Sequence, residues 1–142
     1  MSKYSERAVA LFLEGKNCSQ AVFAAFAPDL GLSEETALAV SVGLGGGVGR
    51  MREVCGAVSG SAMLVGLRYP DLDKTEVYEK VRLIIDEFKK TNHSIVCKEL
   101  LGLTKPETSS VPEARTKEYY QKRPCVKIVE DAAIAVEKVL FE

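Results

Sequence analysis

The sequence predicts an all-α protein, a single compact bundle of about six to eight helices with a glycine-rich turn before a central buried helix. Apolar residues recur every three or four positions along most of the chain, which is the period of an amphipathic helix. Capping residues and helix-ending glycines separate these segments. Strand patterns are scarce, and Ala37 to Val42 is the one ambiguous run. Residues 1–142 show no repeat or linker, and this length suffices for one domain with a real core.

The first third of the chain predicts three helices. The first carries its apolar residues on one face and ends at Gly15. Asn17 is a good N-cap, so Cys18 opens a second helix, which Gly31 closes. Ser33 begins a third helix, because the two glutamates behind it favour the positive end of the helix dipole.

The middle of the chain predicts a turn followed by the central helix. The run Gly43 to Gly49 is too rich in glycine to continue a helix. We expect the helix over Arg50 to Leu67, buried on most sides because it carries no charge after Glu53 up to Leu67.

The second half predicts one long amphipathic helix and several shorter ones. Asp73, with Glu76 three residues later, resembles a capping box before an apolar stripe. Cys97 lies on a short helix that Gly102 ends.

The last third begins with the most loop-like stretch of the chain, Lys105 to Ser110. Pro112 to Gln121 is a weaker helix. Pro124 suits the first turn of the last helix, on which Cys125 shares a face with apolar residues.

Composition and charge exclude several classes of protein. Hydrophobic residues make up 46% and charged residues 27%, with a formal net charge of -1, so nothing favours nucleic acid or an anionic membrane. The uncharged run Thr36 to Gly49 is too short to span a membrane, and half of it is rich in glycine. The N-terminal residues lack the pattern of a signal peptide, so we expect a cytoplasmic protein, where disulfides are rare and usually catalytic or redox-sensing.

Four cysteines are the most informative residues: Cys18, Cys55, Cys97 and Cys125. The segments between them hold 36, 41 and 27 residues, and no CxxC pair occurs. Zinc-ribbon and thioredoxin patterns therefore do not apply. Any site that these cysteines share must be assembled by the fold from separate elements.

The positions of the cysteines favour reactive thiolates. Cys18 and Cys125 fall in the first turn of predicted helices, where the dipole and unpaired N–H groups lower a thiol pKa. Cys55 follows Arg50 and Arg52 closely, and these cations also favour a thiolate. The alternative for each cysteine is a small, inert core residue.

The glycines around Cys55 have two interpretations. Gly56 and Gly60 lie on one helix face, and Ala57 widens this strip of small residues. The strip either lets another helix pack closely or leaves room beside Cys55 for a bulky group such as an inorganic cluster. If exposed, it would suit a homodimer. The run Gly43 to Gly49 satisfies neither GxGxxG nor GK[ST], so a nucleotide loop is a weak alternative.

Two other features are weaker candidates. The single histidine, His93, lies four positions before Cys97 and is either a solvated surface residue or a ligand or proton donor beside it. Tyr119 and Tyr120 stand among basic residues, a pattern for nucleic-acid stacking, but the acidic neighbours favour a helix edge.

The four cysteine segments together resemble a known family, one regarded as redox-active and named for its C, GCAxxG, C, C cysteine pattern. Cys18 in NCSQAVFAAF is similar to the first element, and CGAVSG at Cys55 stands where the central motif belongs, behind the similar run GLGGGVGR. Cys97 in CKELLG and Cys125 in RPCVKIVEDAA are similar to the last two. The family label places glycine before cysteine, whereas here Cys55 precedes Gly56. The resemblance covers nearly all of residues 17–140.

This resemblance implies redox activity and binding of a prosthetic group. A similar cysteine region is associated with a binuclear iron–sulfur centre in cytochromes of the split-Soret type. The present chain has no CxxCH, so it should not attach haem covalently.

We therefore expect an electron-transfer or redox-sensing protein, more an accessory to an unidentified redox partner protein than an enzyme with its own substrate. In one hypothesis the four thiolates bind a [2Fe–2S] or other iron–sulfur cluster, with cofactor contacts from Gly56, Ala57 and Gly60. A variant is a dithiol–disulfide couple without metal. The alternatives are a structural zinc ion held by all four thiolates, and a helical partner-binding domain whose cysteines are inert.

Overall fold

The computed structural model describes residues 2–103 and 107–142, which form eight α-helices and confirm the all-α prediction. In chain order they are α1 (Lys3–Leu13), α2 (Cys18–Phe26), α3 (Glu34–Ser41), α4 (Gly56–Arg68), α5 (Lys74–Thr91), α6 (Cys97–Leu100), α7 (Lys117–Lys122) and α8 (Cys125–Leu140). Short 3₁₀ helices, Ala27–Leu30 and Val42–Leu44, follow α2 and α3. The described residues hold no strand beyond an isolated bridge between Val54 and Val96. The ambiguous run before Val42 is helical.

The ends of the helices follow the capping chemistry of the sequence. The side chains of Asn17, Ser33 and Asp73 each accept a hydrogen bond from a backbone N–H in the first turn of the next helix. Gly15 and Gly31 adopt positive φ angles of 108° and 92° directly after helical segments. Such a conformation costs glycine little and ends a helix.

The core is centred on α2, which packs against α1, α3, α4 and α8. Its residues from Ala21 to Phe26 are all buried, and Phe26 is fully buried. The Phe26 ring stacks on Tyr4 with a centroid distance of 4.3 Å, and on Phe141 at 5.6 Å. Burying an aromatic side chain of this size contributes about 1.5–3 kcal/mol. The apolar faces predicted from the periodicity thus meet in one core.

Helices α2 and α4 approach each other closely because small residues lie between them. A Cβ atom at Gly60 would lie 2.9 Å from the carbonyl oxygen of Ser19, and one at Gly56 would lie 3.0 Å from that of Leu44. No side chain fits at such distances without a backbone shift. The strip of small residues around Gly56 and Gly60 therefore faces α2 inside the chain, where it is buried rather than exposed.

The predicted start of the central helix at Arg50 is wrong. Helix α4 lies between α2, α5 and α8, but it begins at Gly56, after an irregular segment. Val48, Arg50 and Arg52 have φ angles of 65°, 64° and 61° in this segment. This left-handed conformation cannot belong to a right-handed helix, and it is uncommon for residues with a side chain.

The weak helix predicted over 112–121 is shorter and later. Residues 107–116 carry no helix, and α7 begins only after Thr116, whose side chain accepts a hydrogen bond from the Tyr119 N–H. The predicted loop over 105–110 lies partly outside the described residues. Among the helices that the structure describes, none is long and apolar enough to cross a bilayer.

Candidate functional site

All four cysteines stand at the start of a helix. Cys18 is the first residue of α2 and Cys125 the first of α8, as the sequence predicts. Cys55 is the N-cap of α4, and Cys97 is the first residue of the short helix α6. Backbone N–H groups at a helix start have no partner within the helix and carry partial positive charge. At the longer helices α2, α4 and α8 this position favours a thiolate.

These four starts surround one cavity of about 330 Å³, which all four cysteines line. Four arginines also line it: Arg50, Arg52, Arg115 and Arg123. The cavity therefore combines four sulfur donors with guanidinium groups, the residue types that stabilise negative charge on sulfur.

The glycine run builds one wall of the cavity by folding back on the segment that follows it. Gly46 and Gly47 have φ angles of 67° and 74°, and a Cβ at Gly47 would lie 2.6 Å from the backbone nitrogen of Glu53. The Arg52 N–H donates to the carbonyl of Gly46 at 3.1 Å, and the Glu53 N–H to that of Gly47 at 2.9 Å. Glycine is required here because the two backbone stretches are in contact, which turns Arg52 inward.

Cys55 and Cys97 are held on two chain segments joined by backbone hydrogen bonds. The Cys55 N–H donates to the carbonyl of Ile95 at 2.8 Å, and the Cys97 N–H donates to that of Glu53 at 2.6 Å. The bridge between Val54 and Val96 lies between these bonds. Main-chain pairing therefore brings two cysteines far apart in sequence to the same wall.

Cys18 and Cys125 form a thiol pair. The interaction between the Cys18 thiol and a Cys125 thiolate lowers the pKa of Cys125 to about 7 and raises the pKa of Cys18 well above the usual thiol range. The Tyr119 hydroxyl and the charges of Arg123 and Arg115 also lower the Cys125 pKa, against the effect of burial. The lowered pKa favours the thiolate of Cys125, as its helix start predicts, whereas the raised pKa of Cys18 favours the protonated thiol, contrary to that prediction.

The pKa values of Cys55 and Cys97 are also raised, which favours their protonated forms. Burial raises the pKa of Cys55 to about 12, although the backbone N–H groups of Ala57 and Val58 act in the opposite direction. Burial also raises the pKa of Cys97, opposed by Arg52. The Arg52 Nη1 lies 3.7 Å from the Cys97 Sγ, so this guanidinium favours the thiolate of Cys97. The sequence had predicted that Arg52 would act on Cys55 instead.

The four thiols interact electrostatically across the cavity. Cys18 interacts with Cys125 and, less strongly, with Cys55 and Cys97, and Cys97 interacts with Cys125 as well. All four cysteines are free thiols. In the described ranges, no three side chains of His, Cys, Asp or Glu lie close enough together to hold one metal ion. A binuclear cluster needs only two thiolates at each metal, so the donor set fits such a cluster better than a single ion.

The small residues that follow Cys55 occupy different positions. Gly56 lines the cavity. Ala57 is fully buried and directs its N–H toward the Cys55 sulfur. Gly60 lies one turn further along α4, against the Ser19 carbonyl. Gly56 and Ala57 are therefore close to the sulfurs, whereas Gly60 is positioned by helix packing.

His93 lies apart from the cysteines. Its side chain is exposed, and its Nε2 lies 3.3 Å from the carbonyl oxygen of Glu99. Tyr119 belongs to the site through its contact with Cys125, and so does Arg115, which the sequence did not single out. In the sequence, this positive charge beside Cys125 was indicated by Arg123, which stands two residues before the cysteine.

A helical bundle that gathers four cysteines from four helix starts at one arginine-lined cavity defines a protein built around a cysteine centre. The chain belongs to the family described as "Putative redox-active protein (C_GCAxxG_C_C)", whose model matches residues 16–139. The family resemblance of the cysteine segments is thereby confirmed, despite the order of Cys55 and Gly56. No curated protein and no solved structure matches the chain significantly.

Proposed function

We propose that this protein transfers electrons through an iron–sulfur cluster held by its four thiolates. The observation that carries the proposal is that Cys18, Cys55, Cys97 and Cys125 all line one cavity. Soft thiolate donors in a set of four are typical of iron–sulfur clusters and zinc sites. We favour a [2Fe–2S]-type cluster over one zinc ion because the cluster takes two thiolates at each iron, whereas zinc would need all four sulfurs at one point.

Cys18 and Cys125 would hold one metal of the cluster, and Cys55 and Cys97 the other. Such a cluster, when bound, supplies one-electron transfer. The protein's own residues would set the conditions. The helix starts and Arg52 offset negative charge on the sulfurs, and the buried positions of Cys55 and Cys97 keep water away.

The electron must come from, and go to, other molecules. The cluster would gain one electron from a reductant and later lose it to an acceptor, and neither molecule would form a bond to the protein. We therefore propose a separate redox partner protein and no substrate of this chain's own.

Anaerobic reconstitution with iron and sulfide tests the proposal. We expect the parent to bind about two irons and two sulfides per chain, and each of C18S, C55S, C97S and C125S to lose most of this content. Met51→Ser is the matched control, because Met51 is 64% exposed, near the site in sequence, and not a ligand. Four single variants that all retain the parent's iron and sulfide would overturn the proposal.

A second candidate is a dithiol–disulfide couple, which the interaction between the thiols of Cys18 and Cys125 favours. The Cys125 thiolate would attack a disulfide or other two-electron oxidant to form a mixed intermediate. The Cys18 thiolate, formed as its proton leaves, would then displace the reduced oxidant and close the Cys18–Cys125 bond. Two electrons pass to the oxidant, and one proton, from Cys18, is released because Cys125 reacts as the thiolate.

Thiol counting separates this couple from inert cysteines. In metal-free protein, mild oxidation should remove about two of the four thiols, with the new disulfide mapped to Cys18 and Cys125. The C55S and C97S variants should behave like the parent, whereas C18S and C125S should not form it. Four thiols that survive the oxidant in the parent would exclude the couple.

A further inference from the structure

Residues 107–113 cross the mouth of the cysteine cavity as an irregular segment, here termed the lid. Ser110, Pro112 and Glu113 of the lid line the cavity. Within the lid only Glu107 is partly buried, and the other residues are exposed. The lid therefore buries little apolar surface, which is the property of segments that open at low cost.

The lid is attached through arginine side chains. Arg50 donates to the carbonyl oxygens of Ser109, at 2.8 Å, and Val111. Both Arg50 and Arg52 contact the Glu107 carboxylate, at 3.0 and 3.4 Å.

A third arginine, Arg123, pairs with Glu113 at the other end of the lid. In the part of the chain that the structure describes, these arginine contacts are all the hydrogen bonds that link the lid to other segments. Between the lid and the other described segments, no backbone–backbone hydrogen bond has to break for the lid to move.

The same arginines belong to the cavity. Arg52 is only 8% exposed and contacts Cys97 on one side and Glu107 on the other. Its Nε has no hydrogen-bond partner among the residues that the structure describes. Beyond the lid, Arg115 fixes the chain by donating to the carbonyl oxygens of Phe12 and Lys16, at 2.8 and 2.9 Å. The chain is thus fixed at Arg115 directly after the lid, whereas the lid itself is held by the ion pairs of Glu107 and Glu113.

We propose that residues 107–113 form an opening lid that controls access to the cysteine cavity, with Glu107 and Glu113 as its latch on Arg50, Arg52 and Arg123. Opening frees these guanidinium groups and admits small reactants to the thiols. The lid is relevant to redox chemistry only if the proposed function holds, but its opening is a property of the metal-free protein and is tested there.

The test is the rate at which iodoacetamide alkylates each cysteine of the reduced, metal-free full chain, resolved by peptide mass spectrometry. Replacing each latch glutamate by glutamine keeps its shape and removes its charge. We expect E107Q and E113Q each to raise the rates about twofold to fivefold at low salt, and the double variant to raise them further. Glu87→Gln is the matched control, since Glu87 pairs with Lys90 and Lys138 on another surface.

One competing effect must be separated from opening. E107Q also releases Arg52, which contacts Cys97 and would by itself make that thiol more reactive. E113Q in the same way releases Arg123, whose charge lowers the pKa of Cys125. Opening is therefore distinguished by faster alkylation of Cys55 in both variants. A rise confined to the cysteine beside the released arginine, or unchanged rates in the double variant, would overturn the proposal.

The parent decides the matter if the variants do not fold. Sodium chloride weakens the latch by screening its charges, so alkylation of the parent should accelerate with salt while amide exchange in the core of α2 stays constant. Rates that do not respond to salt would overturn the proposal. Iron binding is absent from all these measurements, so a failed lid and a failed cluster give different results.

Discussion

Two regions of this molecule are held together by different forces. The body, around α2 with α1, α4 and α8, is held by buried apolar side chains and by close contact between small residues. The site end, made of residues 43–55 and the lid, is held by backbone contacts of glycines and by arginine contacts. The cysteines stand at the boundary, because three of them begin helices of the body. The apolar core therefore fixes where the cysteines stand, whereas charge contacts hold the segment that lies over them.

The largest expected effect on stability comes from a substitution in the core of the body. Phe26→Ala removes a fully buried ring that stacks on Tyr4 and Phe141, and it leaves a cavity at the centre of the core. We expect the free energy of unfolding to fall by about 3–5 kcal/mol. Urea unfolding followed by circular dichroism measures this. A loss of about 1 kcal/mol or less would contradict the assignment of Phe26 to the core.

Two glycine variants test whether α2 and α4 are in close contact. In Gly60→Ala the new methyl would meet the Ser19 carbonyl oxygen at 2.9 Å, whereas at Gly66, on the same helix, nothing lies within 4 Å. We expect Gly60→Ala to lower the free energy of unfolding by about 1–3 kcal/mol. Gly66→Ala should raise it by about 0.5–1 kcal/mol, because alanine has the higher helix propensity. Thermal unfolding compares the two. Equal effects would show that close packing does not single out Gly60.

Arg115 joins the two regions, so its loss should have an intermediate effect. Its guanidinium donates to the carbonyls of Phe12 and Lys16 and lies 4.0 Å from the centre of the Phe12 ring. Arg115→Met keeps the apolar stem and should cost about 1–2 kcal/mol of unfolding free energy. Arg82→Met, on an exposed face of α5, is the control and should change stability little. A silent Arg115→Met would mean that the anchor is unimportant.

The smallest effect concerns the pH dependence of one thiol. Because the folded protein stabilises the thiolate of Cys125, its pKa falls to about 7, and its alkylation in metal-free protein should rise with pH through that value. Tyr119→Phe removes a hydroxyl that lowers the pKa of Cys125, so the midpoint should move to higher pH. Tyr120→Phe is the control beside it. A parent midpoint in the ordinary thiol range would contradict the Cys18–Cys125 pairing.

Much of the body could be predicted from the sequence, since local chemistry determines it. The caps at Asn17, Ser33 and Asp73 and the glycine ends require only neighbouring residues, and the structure has them as predicted. The start of α4 could not be predicted in this way. Arg50 and Arg52 adopt left-handed backbone conformations because the glycine run folds back on them, which no local propensity indicates.

The site depends on long-range contacts and was accordingly less predictable. The helix starts of Cys18 and Cys125 followed from Asn17 and Pro124, but the partner of Arg52 did not. Arg52 contacts Cys97 rather than Cys55 because the segments around Val54 and Val96 pair. The role of the cysteines as cluster ligands stays a prediction.

The central claim is that the four cysteines act as one redox centre. Its most direct test is the absorption spectrum of the full chain prepared without oxygen, combined with analysis of iron, sulfide and free thiols. We expect a brown protein with iron and sulfide in equal amounts, whose visible absorption bleaches on reduction and whose four cysteines resist alkylation together. A colourless protein that takes up no iron or sulfide on reconstitution, with four independently reacting thiols that oxidants do not pair, would contradict it.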